Sequence, residues 1–294
     1  MPPRVNRAKI PAALKFSKYH ALGNDYLVLN SAEFDRELDP DEIRRLCDRH
    51  RGVGSDGILW GTARLRGEPV HLRIFNPDGS EAGMSGNGLR IFARCLWDQG
   101  YVDGGEFSIL TESGPALARV HENGARVTVE IGRASFDSAR IPVAGEPREV
   151  LDEEIRIDGE PLRFGAVTVG NPHCVILRDE VSRAETERLG PKIERDARFP
   201  ERTNVQFVKI LDREHLQVEI WERGAGYTLS SGSSSAAAAA LARRLGRCEP
   251  RVRVRMPGGE AEVEIAEDYA IRLTGPVVKI AEGLVSNEIF TGRR

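Results

Sequence analysis

Apolar and polar positions change period several times along this chain. The run YLVLN, residues 26–30, is dense in strand formers and is expected as a strand. The segment after Asp39 has helical period, with Asp39 as N-cap and Pro40 as first helical residue, which predicts a helix over about 40–50. GILWG and VHLRIFN then read as strands. Leu89, Phe92 and Leu96 share one face of a following helix, which Gly100 stops. FSIL, ALARV and RVTVEIG, between residues 106 and 132, predict an antiparallel meander joined by glycine-containing turns.

The second half of the chain retraces this plan. Asn24 of GND recurs as Asn171 of GNP, an offset of 147. Aligning SDGILW with TNVQFV sets Asp56 over Asn204 at 148, and FNPDG with WERGAG sets Asn76 over Glu222 at 146. Ser85–Gly86 falls over Ser231–Gly232, again at 146. Matched points in one order at so long a period predict two similar domains rather than a solenoid. The halves are expected as 1–131 plus 277–294 and 132–276.

Each half thus sets a Ser–Gly at the start of a helix, after a glycine-rich corner. Unpaired backbone N–H groups at such a start form an anion site. Facing each other across a pseudo-twofold axis, the two corners converge on one ligand from opposite sides. That arrangement suits removing a proton from one face of a carbon and returning one to the other. Read locally, Ser85 and Ser231 are N-caps, the commonest role of serine at this place; it is the repeat that pairs them.

Composition narrows this picture little. The 294 residues are 40% hydrophobic and 30% charged, with a formal charge of −3, which fits a soluble globular protein with no bulk attraction to nucleic acid or acidic membranes. No run approaches a membrane span, the basic N-terminus has no apolar core of signal-peptide length, and a cytoplasmic protein is expected. Cys47, Cys95, Cys174 and Cys248 are scattered, with no CxxC and no disulfide framework. Neither Cys47 with His50 nor His173 with Cys174 has further partners at metal-ligand spacing, so no metal is expected; His173, beside Asn171, is a candidate to line the cleft. GVGSDG, residues 52–57, follows a helix and precedes a strand, the reverse of a dinucleotide fingerprint, and reads as a turn.

Seven segments, among them HALGNDYLVLN, RHRGVGSDGILW, FNPDGSEAGMSGNGLRIFARCL, VGNPHCVIL and ERGAGYTLSSGSSSA, together resemble the diaminopimelate epimerase family, in its order, from about residue 16 almost to the C-terminus. The resemblance implies an α/β (α+β) fold of two pseudo-symmetric domains, each a mixed, largely antiparallel sheet wrapped around a central helix. It also implies a small-molecule amino-acid substrate, LL- and meso-diaminopimelate on the route to lysine and cell wall, and neither pyridoxal phosphate nor metal. By the same resemblance, Asn24, Asn76, Asn171 and Asn204 hydrogen-bond the substrate's amino and carboxylate groups. Glu222 takes the distal ammonium side and Arg223 forks onto a carboxylate. Gly86–Asn87 and Gly232–Ser233 present backbone N–H groups to the reacting carboxylate, onto which a carbanion spreads its charge.

The departures are at the centre. In the family a cysteine pair occupies positions 85 and 231; here both are serine. Tyr227 stands where the second motif normally has glutamate, and Gly57 where some members have a substrate-binding glutamine, glycine being a frequent alternative. An aliphatic hydroxyl is about seven pKa units weaker an acid than a thiol, so forming the base costs roughly 10 kcal/mol more. A helix N-terminus returns only ~0.3–2 kcal/mol of that. A serine therefore needs another group to take its proton, and Tyr227 is the sequence-local candidate. Several readings stay open on sequence: a diaminopimelate epimerase with a modified base, an epimerase of another amino acid, a binding homologue without turnover, or a cysteine pair replaced to trap a complex. Whether the chain forms a homodimer is also open.

Overall fold

The computed structural model describes residues 13–34, 36–62 and 70–290. The first half carries β1 (Ala13–Ala21), β2 (Asn24–Asn30), α1 (Pro40–Cys47), β3 (Ile58–Thr62), β4 (Val70–Phe75), β5 (Glu81–Ala82), α2 (Gly86–Asp98), β6 (Glu106–Thr111), β7 (Gly114–His121) and β8 (Arg126–Arg133). The second carries β9 (Glu153–Ile157), β10 (Glu160–Thr168), β11 (Pro172–Leu177), α3 (Arg183–Glu194), β12 (Asn204–Ile210), β13 (His215–Glu222), β14 (Gly226–Thr228), α4 (Gly232–Arg244), β15 (Arg251–Met256), β16 (Gly259–Ile265) and β17 (Ala270–Pro276). The last strand, β18 (Val278–Ser286), returns to the first half and pairs antiparallel with β1.

The pairing runs β18–β1–β2–β3–β4–β6–β7–β8 in one half and β9–β10–β11–β12–β13–β15–β16–β17 in the other. Both are antiparallel except at two corresponding places, β2–β3 and β4–β6 against β11–β12 and β13–β15. β8 and β17 pair antiparallel and join the halves into one continuous sheet. The repeat read from the sequence is thus a repeat of strand register.

Register also corrects one of the four matches. β2 pairs Leu27 with Ile58, and β11 pairs Cys174 with Val205. With Asn24 over Asn171, the residue corresponding to Asn204 is therefore Gly57, not Asp56. Asp56 serves the backbone instead: its carboxylate accepts from the Asp25 N–H and from Arg49.

The sequence dictates what lies inside. In RVRVRM of β15, Val252, Val254 and Met256 are buried while Arg251, Arg253 and Arg255 face solvent, the period-two pattern of a half-buried strand. α2 and α4 differ from surface helices. α2 touches β1, β2, β7 and β8, and α4 touches all of β10–β13 and β15–β17, so each runs inside its half-sheet. Ala236–Ala240 are fully buried, and a methyl in place of Gly165 on β10 would come within 2.4 Å of Leu241 Cδ1. The alanine run is small because strands press on it from several sides. α1 and α3 lie outside, over separate apolar clusters centred on Ile43 and Leu46 and on Leu189 and Ile193. α1 begins as expected, with Asp39 and Glu42 forming a reciprocal capping box. It ends at Cys47 rather than near 50, because Val53 and Gly54 turn back to donate their N–H groups to the Leu46 carbonyl.

Candidate functional site

α2 and α4 meet end to end, N-terminus against N-terminus. A methyl added at Gly232 would lie 3.1 Å from Gly86 Cα and 2.9 Å from Leu273 Cδ2, so only glycine permits this approach. The residue before each glycine is the N-cap. Ser85 Oγ accepts from the Gly88 N–H at 3.0 Å, and Ser231 Oγ from the Ser234 N–H at 3.4 Å. Both serines cap their helices, and the glycines that follow them, Gly86 and Gly232, bring the two helix starts together. Two helix N-termini aimed at one place supply unpaired N–H donors and favour negative charge there.

Each serine has an ionisable partner. The Tyr26 hydroxyl lies 3.3 Å from Ser85 Oγ. Ser231 Oγ lies 3.4 Å from Ser233 Oγ, and the Glu222 carboxyl stands near enough for the Ser231 hydroxyl to lower its pKa. Glu222 is half-buried at the end of β13. Desolvation pushes its carboxyl above the ordinary carboxylate range; the Ser231 hydrogen bond opposes this, and the Asp56 charge adds to it.

The amides gather in two clusters. In the first, Asn24 Nδ2 donates to Asp56 at 3.0 Å, and its Oδ1 accepts from Asn87 Nδ2 at 3.1 Å. Asn87 Nδ2 also reaches Ser230 Oγ at 3.3 Å, which ties α2 to the corner before α4. Arg90, wholly buried, donates to Asn87 Oδ1 and fixes that amide's orientation. Among the described residues no carboxylate pairs with it, and burial pulls its guanidinium down to about 10.

In the second cluster, Asn171 Oδ1 meets His173 Nε2 at 2.8 Å. Asn204 is held by the Pro172 carbonyl and the Arg223 N–H, each at 2.9 Å. His173 is fully buried, and desolvation pushes its imidazole down to about 3, with the Gln206 amide beside it opposing, so the ring is neutral near pH 7. The Arg223 guanidinium donates to the Glu201 carbonyl at 2.9 Å. Asn76 stands apart, its amide bonded to Ser80 Oγ at 3.0 Å in the turn after β4.

Tyr227 is the correction. Its hydroxyl donates to Glu219 at 2.6 Å, and Arg183 stacks over its ring at 4.7 Å. In the sheet it lies opposite Trp221, which packs into the cluster under α3, whereas the next residue, Glu222, turns to the other face. Alternation therefore directs Tyr227 away from Ser231. Tyr26, Ser230 and Arg90 were absent from the sequence-derived site. Tyr26 had a signal: it follows Asn24 by two residues on β2 and so shares its face.

The chain matches the model of the family described as diaminopimelate epimerase over residues 16–136 and 165–280. It belongs to the diaminopimelate epimerase family. Among family members, diaminopimelate epimerase 2 of Nostoc sp. is 52% identical over 277 residues, covering 94% of this chain and 97% of that protein. The diaminopimelate epimerase of Moorella thermoacetica is 39% identical over 279 residues, covering 92% and 98%. A solved hydroxyproline epimerase from Agrobacterium vitis, with bound trans-4-hydroxy-L-proline, shares the fold at a TM-score of 0.71 and 15% identity, covering 96% of this chain and 93% of that one. The racemase-like fold therefore extends well beyond the diaminopimelate epimerases. Among the described residues, no helix is long and apolar enough to cross a membrane, and all four cysteines are buried and free.

Proposed function

We propose that this chain interconverts LL- and meso-2,6-diaminopimelate, taking the α-proton from one face and returning a proton to the other, in lysine and cell-wall precursor synthesis in the cytoplasm. The observation that supports this reading is the close approach of Gly86 and Gly232 at the starts of α2 and α4, each preceded by its N-cap serine, in a member of this family. The lobes are assigned as 1–131 with 277–294 and as 132–276, with the substrate between them. The N–H groups of Gly86, Asn87, Gly232 and Ser233 bind the reacting carboxylate and stabilise the charge that the carbanion spreads onto it. Asn24, Asn76, Asn171 and Asn204 bind the amino and carboxylate groups, Arg223 binds a carboxylate, and neutral His173 holds Asn171 in place.

Glu222 receives a different role from the one the resemblance gave it. Because the Ser231 hydroxyl acts on its carboxyl, we assign it to the reacting carbon rather than to the distal ammonium. A carboxylate that accepts the serine proton while the serine accepts the carbon's avoids a free alkoxide, and so avoids most of the roughly 10 kcal/mol that separates hydroxyl from thiol. Its raised pKa brings it nearer the operating pH, which strengthens it as a base.

The test is α-proton exchange in D₂O with LL- and meso-diaminopimelate, followed by NMR, with a Ser85→Ala control. Exchange with interconversion in the wild type, and loss of interconversion in the control, is the expected result. Saturable binding without exchange in the wild type would leave only an amino-acid-binding protein.

A further inference from the structure

The two serines sit at matched positions, but the groups beside them do not match. Register places His173 where the first half has Tyr26, and Glu222 where it has Asn76. In the second half the strand-borne ring is a neutral imidazole bonded to Asn171, and the titratable partner of the serine is the carboxyl at the strand end. In the first half the strand-end residue is an amide bonded to Ser80, and the titratable partner is the phenol on β2. Gly57 leaves the room for that phenol. A methyl at Gly57 would come within 2.7 Å of Tyr26 Cε1 and 2.5 Å of the Phe75 carbonyl, so a side chain at 57 and the tyrosine ring exclude each other. The ring is nearly buried, and only its hydroxyl approaches Ser85.

We propose that Tyr26 is the proton partner of Ser85, so that the two opposed serines are served by unlike groups, a phenol on one face and a carboxylate on the other. This rests on the epimerase reading above and assigns the second half of its chemistry. As the Cα–H bond breaks on the Ser231 face, that proton passes to Ser231 Oγ and the serine's own proton passes to Glu222. On the opposite face the Ser85 proton forms the new Cα–H bond, and the Tyr26 proton passes to Ser85 Oγ. The electron pair stays with the carbon and its carboxylate between the two transfers. Turnover ends with Glu222 neutral and Tyr26 ionised, and proton exchange with water restores both. The reverse reaction starts from that second protonation state. Tyr26 acts through Ser85 and is a positioning residue that also carries a proton.

The experiment follows solvent deuterium into each stereoisomer separately, for the wild type and for Tyr26→Phe, which keeps the ring. Interconversion is expected to fall by about 10²-fold or more. Exchange should persist for the isomer whose α-hydrogen faces Ser231 and be lost for the other, an asymmetry that general loosening of the site does not produce. A second comparison repeats Tyr26→Phe in a Ser85→Cys background. A thiol, with pKa ~8.5, ionises without the phenol, so the penalty should shrink at least tenfold there. Equal penalties in both backgrounds, or a Tyr26→Phe enzyme exchanging both isomers within twofold of wild type, would overturn the proposal. Absence of exchange in the wild type itself would instead remove the epimerase reading on which it stands.

Discussion

A hydroxyl needs a proton acceptor at hand before it can act as a base, and which acceptor it has is decided by single side chains. The Ser–Gly corners that begin α2 and α4 were legible because they recur in an internal repeat. Their partners were less so. Tyr227 is close to Ser231 in sequence but lies on the α3 face, bonded to Glu219, while Tyr26 reaches Ser85 from a strand far back in the chain. Sequence adjacency was the misleading guide, and strand alternation the reliable one. His173 gives this scale a prediction in pH. Its folded-state pKa is depressed from 6.5 to about 3, so between those values the unfolded chain binds a proton that the folded chain refuses. Stability therefore falls as the solution is acidified through that window, by on the order of a few kcal/mol in all, and the effect levels off below it. His121, also depressed by burial, acts in the same direction. Urea midpoints at pH 7 and pH 5 should show a drop for the wild type that is clearly smaller for His173→Gln; equal drops would assign the acid sensitivity elsewhere.

At the scale of elements, the helices were placed by their caps and periods, but their environment was only partly visible. Leu89, Phe92 and Leu96 suggested one buried face for α2, but Arg90, outside that set, is as buried as Leu89. A charge inside a helix reads as a solvent face unless something within reach absorbs it, and here the Gly86 carbonyl and the Asn87 amide do. The alanines of α4 are small over more than a turn because strands press on them from several sides. Gly232 is the most sensitive point of this arrangement. Gly232→Ala adds a methyl against Gly86 Cα and Leu273, and the helix ends must part to admit it. A stability loss of about 1–3 kcal/mol is expected. A larger loss of about 10²-fold is expected in exchange rate, because displacing reacting groups by ~1 Å suffices for that. Thermal unfolding and the D₂O assay on one preparation separate the two; an unchanged rate would mean that the junction tolerates separation.

For the whole molecule, the duplication was readable from short matches, of which Asn24 with Asn171, Asn76 with Glu222 and Ser85–Gly86 with Ser231–Gly232 agree with the strand and helix register. The seam was not, since β8 and β17 bear no motif and meet only through register. The return of the chain to the first half after residue 276 was expected, although Val278, Ile280 and Leu284 are exposed and the burial pattern of β18 is not that of a core strand. A chain ending at Pro276 removes this strand and leaves β1 as an open edge. Such a chain is expected to be poorly soluble, with a thermal midpoint lowered by about 10 °C or more if it folds at all; calorimetry on the soluble fraction checks it, and a midpoint within a few degrees of wild type would show β18 to be dispensable. The same crossing has a consequence for synthesis. When the ribosome has delivered residue 276, every strand of the second half has its neighbours, whereas β1 still waits for its partner. The half translated first is the half completed last.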